Sequence, residues 1–151
     1  MEKIEFQIRK MDQKDIPEII RLERELFSDP WPKQAFIEDI ESDFSLPFVA
    51  HIDNEIIGYA ILWIGIEAGH LTNIAVDKKY QRKSVAKKLL SFILEFAQNI
   101  KLSQILLEVR PSNAAAVTLY ESYGFKNLAI QKDYYKNPSE DCLVMKRDLT
   151  D

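Results

Sequence analysis

The sequence predicts an α/β sandwich in which one mixed sheet carries helices on both faces. Seven apolar segments have the length and period of strands and four have the period of amphipathic helices, in the order β-α-α-β-β-β-α-β-α-β-β. The 151 residues suit a single domain, 1–151, which buries about two-thirds of the surface of the unfolded chain. An apolar content of 46% supports such a core.

The first strand and the first two helices are predicted from the N-terminal third. Residues 6–11 alternate apolar and polar, which is typical of a half-buried strand. Asp15, three residues before Glu18, has the spacing of a capping box at the start of a helix. That helix ends near Pro30, because proline disfavours helical geometry in the residue before it. A shorter helix is predicted over 33–40.

A hairpin, a further strand and the longest helix follow. Strands are predicted over 48–52 and 56–64, joined by a polar turn, and another over 71–76. The helix is predicted over 84–98. Its expected buried stripe is Val85, Leu89, Phe92, Ile93 and Phe96.

The C-terminal third contributes three strands and one helix. We predict strands over 105–109, 125–133 and 142–149, and a helix over 114–123. Gly124 ends that helix at the position where a left-handed residue is favoured.

Charge and composition argue against several classes of function. The net charge of −4 is unlike that of a general nucleic-acid binder, and the longest apolar run is too short to cross a bilayer. We therefore expect a cytoplasmic protein with no membrane or direct nucleic-acid contact. The lone Cys142 cannot form an internal disulfide, and we expect a structural role for it. We also expect no metal, because two histidines and one cysteine form no ligand cluster.

Basic residues concentrate where the strand over 71–76 leads into the longest helix. Six of the 20 lysines and arginines lie within 78–88. A strand, a short turn and a helix start present unpaired N–H groups around one point, and the helix dipole adds positive potential there. Arg82, Lys83 and Lys87 add counter-charge for a pyrophosphate. A solvated basic helix start is the alternative.

Two motifs resemble those of the GNAT acetyltransferase superfamily. The segment Gln81-Arg82-Lys83-Ser84-Val85-Ala86 is similar to the Q/R-x-x-G-x-G/A signature, which in that superfamily grips the pyrophosphate of coenzyme A. The segment Leu107-Glu108-Val109-Arg110-Pro111-Ser112-Asn113 resembles the RimI branch, which acetylates protein N-terminal amines. Further matches to this branch are Pro30-Trp31, Ala116, Leu119-Tyr120, Gly124-Phe125, Tyr134-Tyr135 and Glu140-Asp141. The resemblance covers nearly the whole chain in the same order.

The resemblance implies a GNAT-type fold with a largely antiparallel sheet, acetyl-CoA as co-substrate and no metal. The coenzyme contacts that it implies are Ile74, Ala75, Val76, Arg82, Lys83, Ser84, Val85, Ala86, Lys87 and Asn113. Asn113 stands just before a helix and also suits an N-cap. Ser84 replaces the first glycine of the signature. If positive φ is required there, the cost is about 1 kcal/mol, which lowers coenzyme affinity several-fold.

Glu108 and Tyr120 are the candidate catalytic pair. An amine must be neutral to attack a thioester, so a general base helps, and the departing thiolate gains from a proton donor. By similarity to the RimI branch, Glu108 is the base and Tyr120 is the acid. From the residues alone, Glu108 also suits a solvent-facing strand position, and Tyr120 also suits a core position.

Three aromatic residues are candidates for the groove that receives the peptide N-terminus: Trp31, Tyr134 and Tyr135. Aromatic rings pack along a peptide while their polar ends form hydrogen bonds, although ordinary packing is an alternative for each. His70 is interpreted as a strand residue rather than as a base.

The leading hypothesis is that the chain transfers the acetyl group of acetyl-CoA to the N-terminal α-amine of a protein, such as a ribosomal protein, by direct attack of the amine. One alternative is acetylation of a lysine or a small-molecule amine on the same scaffold. Another is a non-catalytic acyl-CoA sensor, which the departure at Ser84 keeps open. We expect a monomer, because nothing in the sequence indicates an obligate dimer.

Overall fold

The computed structural model describes residues 4–149, which form one seven-stranded sheet with helices on both faces. The strands are β1 (Gln7–Lys10), β2 (Ser45–Ile52), β3 (Glu55–Ile64), β4 (Ala68–Val76), β5 (Gln104–Val109), β6 (Lys126–Lys136) and β7 (Ser139–Asp148). The helices are α1 (Ile16–Leu26), α2 (Lys33–Glu41), α3 (Val85–Asn99) and α4 (Ala114–Ser122). The predicted order of strands and helices is confirmed. That residues 1–151 form a single domain stays a prediction, and residues 1–3 and 150–151 lie outside the described part of the chain.

The sheet opens between β4 and β5. Its strand order is β1-β2-β3-β4-β5-β7-β6, and every neighbouring pair is antiparallel except β4 and β5, which are parallel. The parallel ladder joins residues 68–71 to residues 104–107. Beyond it β4 runs on to Val76 and β5 to Val109, so a gap forms between their C-terminal ends. A mixed, largely antiparallel sheet was predicted and is confirmed.

Alternate residues of β3 face two separate cores. Leu62 packs with Leu89 of α3 in the cluster that also includes α4. Its neighbour Ile61 packs in the other cluster with residues of α1 and α2, where the ring of Phe36 meets Tyr59 edge-on at 6.1 Å. Because successive side chains of a strand point to opposite faces, helices cover the sheet on both sides.

Asp15 holds the N-cap position of α1, as predicted, but its side chain makes no capping hydrogen bond to that helix. A 3-10 turn, Gln13–Asp15, precedes the helix, and Asp12 caps this turn. The backbone N–H of Asp12 donates to the Asp15 carboxylate at 2.8 Å, which completes a capping box. Asp15 is buried and paired with Arg9 at 2.8 Å. A box between Asp15 and Glu18 was therefore wrong, because the extra turn moves the first unsatisfied N–H groups toward Asp12.

The buried stripe of α3 is wider than predicted. Its buried residues are Val85, Leu89, Leu90, Ile93, Leu94 and Ala97. Phe92 and Phe96 are only partly buried, and their rings flank Phe48 of β2 at 4.9 and 5.5 Å. Among residues 4–149, no helix is both long enough and apolar enough to span a bilayer.

A smaller prediction in the C-terminal third is confirmed at Gly124, whereas a structural role for Cys142 stays a prediction. Gly124 follows α4 with a φ of 87°, the left-handed conformation expected just after a helix. Cys142 is fully buried in β7, and burial raises the pKa of its thiol.

Candidate active site

A cavity of about 640 Å³ lies where β4 and β5 diverge. Its helix end is formed by residues 74–76 of β4 with Gln81, Arg82 and Ala86 at the start of α3. Its carboxylate end is formed by Glu23, Trp31, Glu108 and Tyr135. Between the two ends lie Asn113, Ala116 and Tyr120, at the start of α4 and along it.

The backbone at the helix end is left-handed at two residues that are not glycine. Ser84 has a φ of 68° and a ψ of 17°, and Arg82 has a φ of 64°. Position 84 thus adopts the conformation that glycine reaches most easily. Helix α3 begins at the next residue, so its first N–H groups and the positive end of its dipole lie beside the cavity. This is the backbone arrangement that binds phosphate groups.

The turn before α3 is tied to the rest of the sheet. The Gln81 amide donates to the Val76 carbonyl at 3.0 Å. The Tyr80 hydroxyl donates to Glu55 at 2.6 Å, and Lys79 pairs with the same carboxylate at 3.0 Å. These two contacts hold the pKa of Glu55 below its usual value. The loop is therefore fixed from both sides before any ligand binds.

The predicted coenzyme residues divide into two groups. Residues 74–76, Arg82, Ala86 and Asn113 line the cavity. Within the described chain, the lining does not include the side chains of Val85, which is buried in the core, or Lys87, which is exposed. Asn113 caps α4, since its side chain accepts from the N–H of Ala116 at 3.2 Å, and its N-cap role is confirmed.

Lys83 and Ser84 are partly buried beside the same turn. A role in coenzyme binding stays a prediction for all ten residues.

Glu108 is a partly buried residue with two neighbours rather than a solvent-facing one. Its Oε1 lies 3.1 Å from Nε2 of His70, and the two side chains are 24% and 36% exposed. His70 stands opposite Leu106 in the parallel ladder, so Glu108 lies two residues further on along the same face of the sheet. Burial, and then the charge and a hydrogen bond of Glu108, raise the pKa of Tyr134.

Tyr120 is both a core residue and a cavity residue. It is 6% exposed, its ring packs against Phe125 at 5.7 Å, and it lines the cavity. Burial raises the pKa of Tyr120 well above the usual tyrosine value. The phenol is therefore protonated at neutral pH, as a proton donor must be.

A buried carboxylate, Glu23, forms part of the carboxylate end. It is 2% exposed and accepts hydrogen bonds from the Tyr59 hydroxyl at 2.5 Å and the Asn73 amide at 3.1 Å. It also accepts from the backbone N–H of Trp31 at 3.0 Å. Glu23 thereby joins α1 to β3, β4 and the α1–α2 loop. Burial, and then Glu23, raise the pKa of Tyr59.

The β6–β7 hairpin is fastened over the cavity by Arg110. The guanidinium lies 4.3 Å from the centre of the Tyr135 ring and donates to the Pro138 carbonyl at 2.8 Å. The Ser28 hydroxyl of the α1–α2 loop donates to the Asn137 carbonyl in the hairpin turn. The two segments that carry Trp31 and Tyr135 are therefore in contact. Burial, and then interactions with the Cys142 thiol, raise the pKa of Tyr135.

The sequence prediction missed Glu23 and the position of His70. A signal for Glu23 was available, since it falls four residues after Ile19 on the apolar stripe of α1. His70 was correctly assigned to a strand, but its contact with Glu108 depends on the β4–β5 pairing, which no local pattern encodes. Within residues 4–149, no group of three or more His, Cys, Asp and Glu side chains could hold a metal ion. The expected absence of a metal stays a prediction.

Comparison with known proteins gives matches over most of the chain. A family model described as the acetyltransferase (GNAT) family matches residues 16–125. The ribosomal protein bS18-alanine N-acetyltransferase of Escherichia coli K12 is 31% identical over 140 residues, which cover 91% of this chain and 94% of the relative. An N-alpha-acetyltransferase of Saccharolobus solfataricus is 32% identical over 158 residues, covering 96% and 94%. The crystal structure of the Escherichia coli ribosomal-protein-S18-alanine N-acetyltransferase superimposes with a TM-score of 0.91 at 29% identity, covering 97% of this chain and 96% of that one.

Proposed function

Since this chain belongs to the acetyltransferase (GNAT) family and is an N-acetyltransferase, we propose that it transfers the acetyl group of acetyl-CoA to the N-terminal α-amine of a protein, with a ribosomal protein as the acceptor. The observation that carries the proposal is the contact between Glu108 and His70 at one end of a cavity whose other end is the start of α3. One chain supplies both ends, so a monomer suffices.

The names of the relatives support the acceptor. One is named for an alanine of ribosomal protein bS18, and the other for an α-amine. An α-amine has a pKa of about 7.7–8.0, so a substantial part of it is protonated at neutral pH. A base beside the thioester is therefore useful to this acceptor. A base is even more necessary for a lysine side chain, because the pKa of that amine is about 10.4.

The helix end is suited to the coenzyme. The N–H groups at the start of α3 and the Arg82 guanidinium hold the pyrophosphate, and the free edge of residues 74–76 pairs with the pantetheine amides. Asn113 keeps its capping bond to Ala116 and uses its amide N–H groups toward the coenzyme. Bound acetyl-CoA supplies the thioester, whose carbonyl carbon the amine attacks.

The residues at the carboxylate end and on α4 then move protons. Glu108, held by His70, removes the proton that keeps the α-amine from attacking. As the amine nitrogen bonds to the acetyl carbon, the carbon–sulfur bond breaks and the Tyr120 phenol gives its proton to the departing sulfur. The nitrogen, now bonded to the acetyl carbon, gives up its extra proton, which returns to the Tyr120 phenolate through solvent, and Glu108 releases the proton that it took to solvent. Trp31, Tyr134 and Tyr135 border the chain that carries the amine.

The test compares two synthetic peptides, one with a free α-amine and no lysine, the other with a blocked α-amine and one lysine. Release of the coenzyme thiol and the peptide mass are followed together. We expect thiol release and a single acetyl group on the first peptide. Transfer only to the second would assign the enzyme to lysine. Coenzyme binding with no thiol release from either peptide would make the protein a sensor.

A further inference from the structure

A second cavity, of about 440 Å³, lies on the far side of Glu108. Among residues 4–149, Glu108 is the one residue that lines both cavities, so the two adjoin at Glu108. The walls of the second cavity are largely apolar and include Trp63 of β3, Leu106 of β5 and Val144 of β7. We call these three residues the apolar subsite. They stand on the face of the sheet that α1 and α2 cover over β2, β3 and the C-terminal part of β4.

The apolar subsite is built rigidly. The Trp63 indole N–H donates to Asp39 at 2.8 Å, and the same Asp39 oxygen accepts from Ser45 at 3.1 Å. Asp39 is buried, and its hydrogen bond holds the N–H edge of the indole in place. The other side of the ring meets His70 edge-on at 6.0 Å. Because its polar N–H is already paired, the 43% of Trp63 that is exposed offers only apolar ring surface to a ligand.

We propose that the apolar subsite receives an apolar side chain of the acceptor polypeptide, one or two residues after the amine that is acetylated. This rests on the proposed function. An acceptor that approaches from the second cavity passes its amine beyond Glu108 to the thioester in the first cavity, so the residues after the amine lie on the second-cavity side of Glu108. An extended chain advances about 3.3 Å per residue. A side chain of its second or third residue therefore lies above Trp63, Leu106 and Val144. The continuity of the two cavities at Glu108 selects the acceptor over an unrelated partner.

The chemistry of the subsite predicts which acceptors are preferred. Leucine or phenylalanine fills it and displaces water from apolar walls. Serine is too small and polar to displace water from these walls. Aspartate also brings a negative charge toward Glu108. Apolar pockets discriminate by about 10- to 200-fold between side chains of different apolar size.

The experiment measures kcat/KM for eight-residue peptides that begin with alanine and carry leucine, serine or aspartate at position 2, and for a second set varied at position 3. We expect leucine to exceed serine by at least about tenfold at one of the two positions. Leu106→Gln and, as a near-isosteric change, Val144→Thr lower that ratio toward one. Ile130→Gln is the matched control, because Ile130 is 62% exposed on β6 and lines neither cavity.

Each ratio comes from one enzyme preparation, so a smaller folded fraction in a variant cancels. Equal rates for leucine and serine at both positions would overturn the subsite, as would a leucine preference that survives both Leu106→Gln and Val144→Thr. Self-association that is lost in Leu106→Gln, with a flat peptide preference, would assign the surface to a second copy of the chain and also overturn it. Failure to acetylate any of these α-amines would instead remove the proposed function, and the subsite with it.

Discussion

The helix end of the cavity is built from one continuous segment, whereas the carboxylate end is built from side chains that meet from distant parts of the chain. At the helix end the turn after Val76 and the start of α3 present backbone N–H groups. At the carboxylate end a single side chain, that of Glu23, accepts hydrogen bonds from β3, β4 and the α1–α2 loop. A substitution at the helix end leaves the backbone donors in place. One at the carboxylate end leaves its partners unpaired, so larger effects are expected there.

The largest effect is expected for Glu108→Gln, which keeps the shape of the side chain and removes the base. General-base catalysis contributes about 10²- to 10⁴-fold, so we expect kcat/KM to fall by about 100-fold or more. The loss is larger near neutral pH than in alkali, because an α-amine with a pKa of about 7.7–8.0 loses its proton to solvent above that range. The measurement is kcat/KM against pH for the alanine peptide.

The matched control for this change is Glu95→Gln on the exposed side of α3, which keeps the wild-type rate. If Glu108→Gln lowers the rate by the same factor at every pH, the carboxylate is not the base. The substitution would then act on substrate binding, and the loss would be measured as a higher KM.

The next largest effect is expected for Glu23→Leu. The change removes the acceptor of three hydrogen bonds and leaves the Tyr59 hydroxyl, the Asn73 amide and a backbone N–H unpaired. We expect the free energy of unfolding to fall by about 2–3 kcal/mol, measured by urea denaturation. Glu18→Leu on the exposed side of the same helix is the control and should stay within about 0.5 kcal/mol. Equal losses in the two variants would mean that Glu23 does not organise the carboxylate end.

A smaller effect is expected for Tyr120→Phe. The ring keeps its packing against Phe125, and only the proton donor is lost. A thiol has a pKa of about 8.5, so its thiolate needs less help to leave than an alkoxide would, and we expect kcat to fall by about tenfold to hundredfold. Tyr123→Phe, near the end of the same helix, is the control, since its hydroxyl contacts α3. Equal losses of kcat in both variants would remove Tyr120 from the acid role.

The same difference between the two ends explains what could be predicted from the sequence. The order of strands and helices and the helix end follow from local patterns: apolar periodicity, basic residues before a helix, and the segment Gln81 to Ala86. Glu108 was found because it interrupts an apolar strand. Its contact with His70 could not be predicted, because it depends on which strands pair across the sheet. The capping box was misplaced for a related reason, since the Asp15 side chain is paired with Arg9 of β1.

The smallest effect, and the sharpest test of the helix end, is expected for Ser84→Gly. Serine sits there with a φ of 68°, and glycine removes a conformational cost of about 1 kcal/mol. The greater freedom of glycine in the unfolded chain offsets about 0.4–1 kcal/mol of that gain, so the free energy of unfolding hardly changes. Coenzyme affinity should rise several-fold, because a loop without a Cβ lets the pyrophosphate approach more closely. Titration calorimetry with coenzyme A measures it.

Ser84→Ala separates the two properties of the serine, because it keeps the Cβ and removes the hydroxyl. If backbone conformation governs this position, alanine binds coenzyme A no better than serine, and only glycine improves the affinity. If the hydroxyl donates to phosphate, both variants bind more weakly than serine does. That second result would mean that the serine hydroxyl contributes to coenzyme binding in place of the flexible glycine backbone. The helix end would then depend on a side chain, as the carboxylate end does.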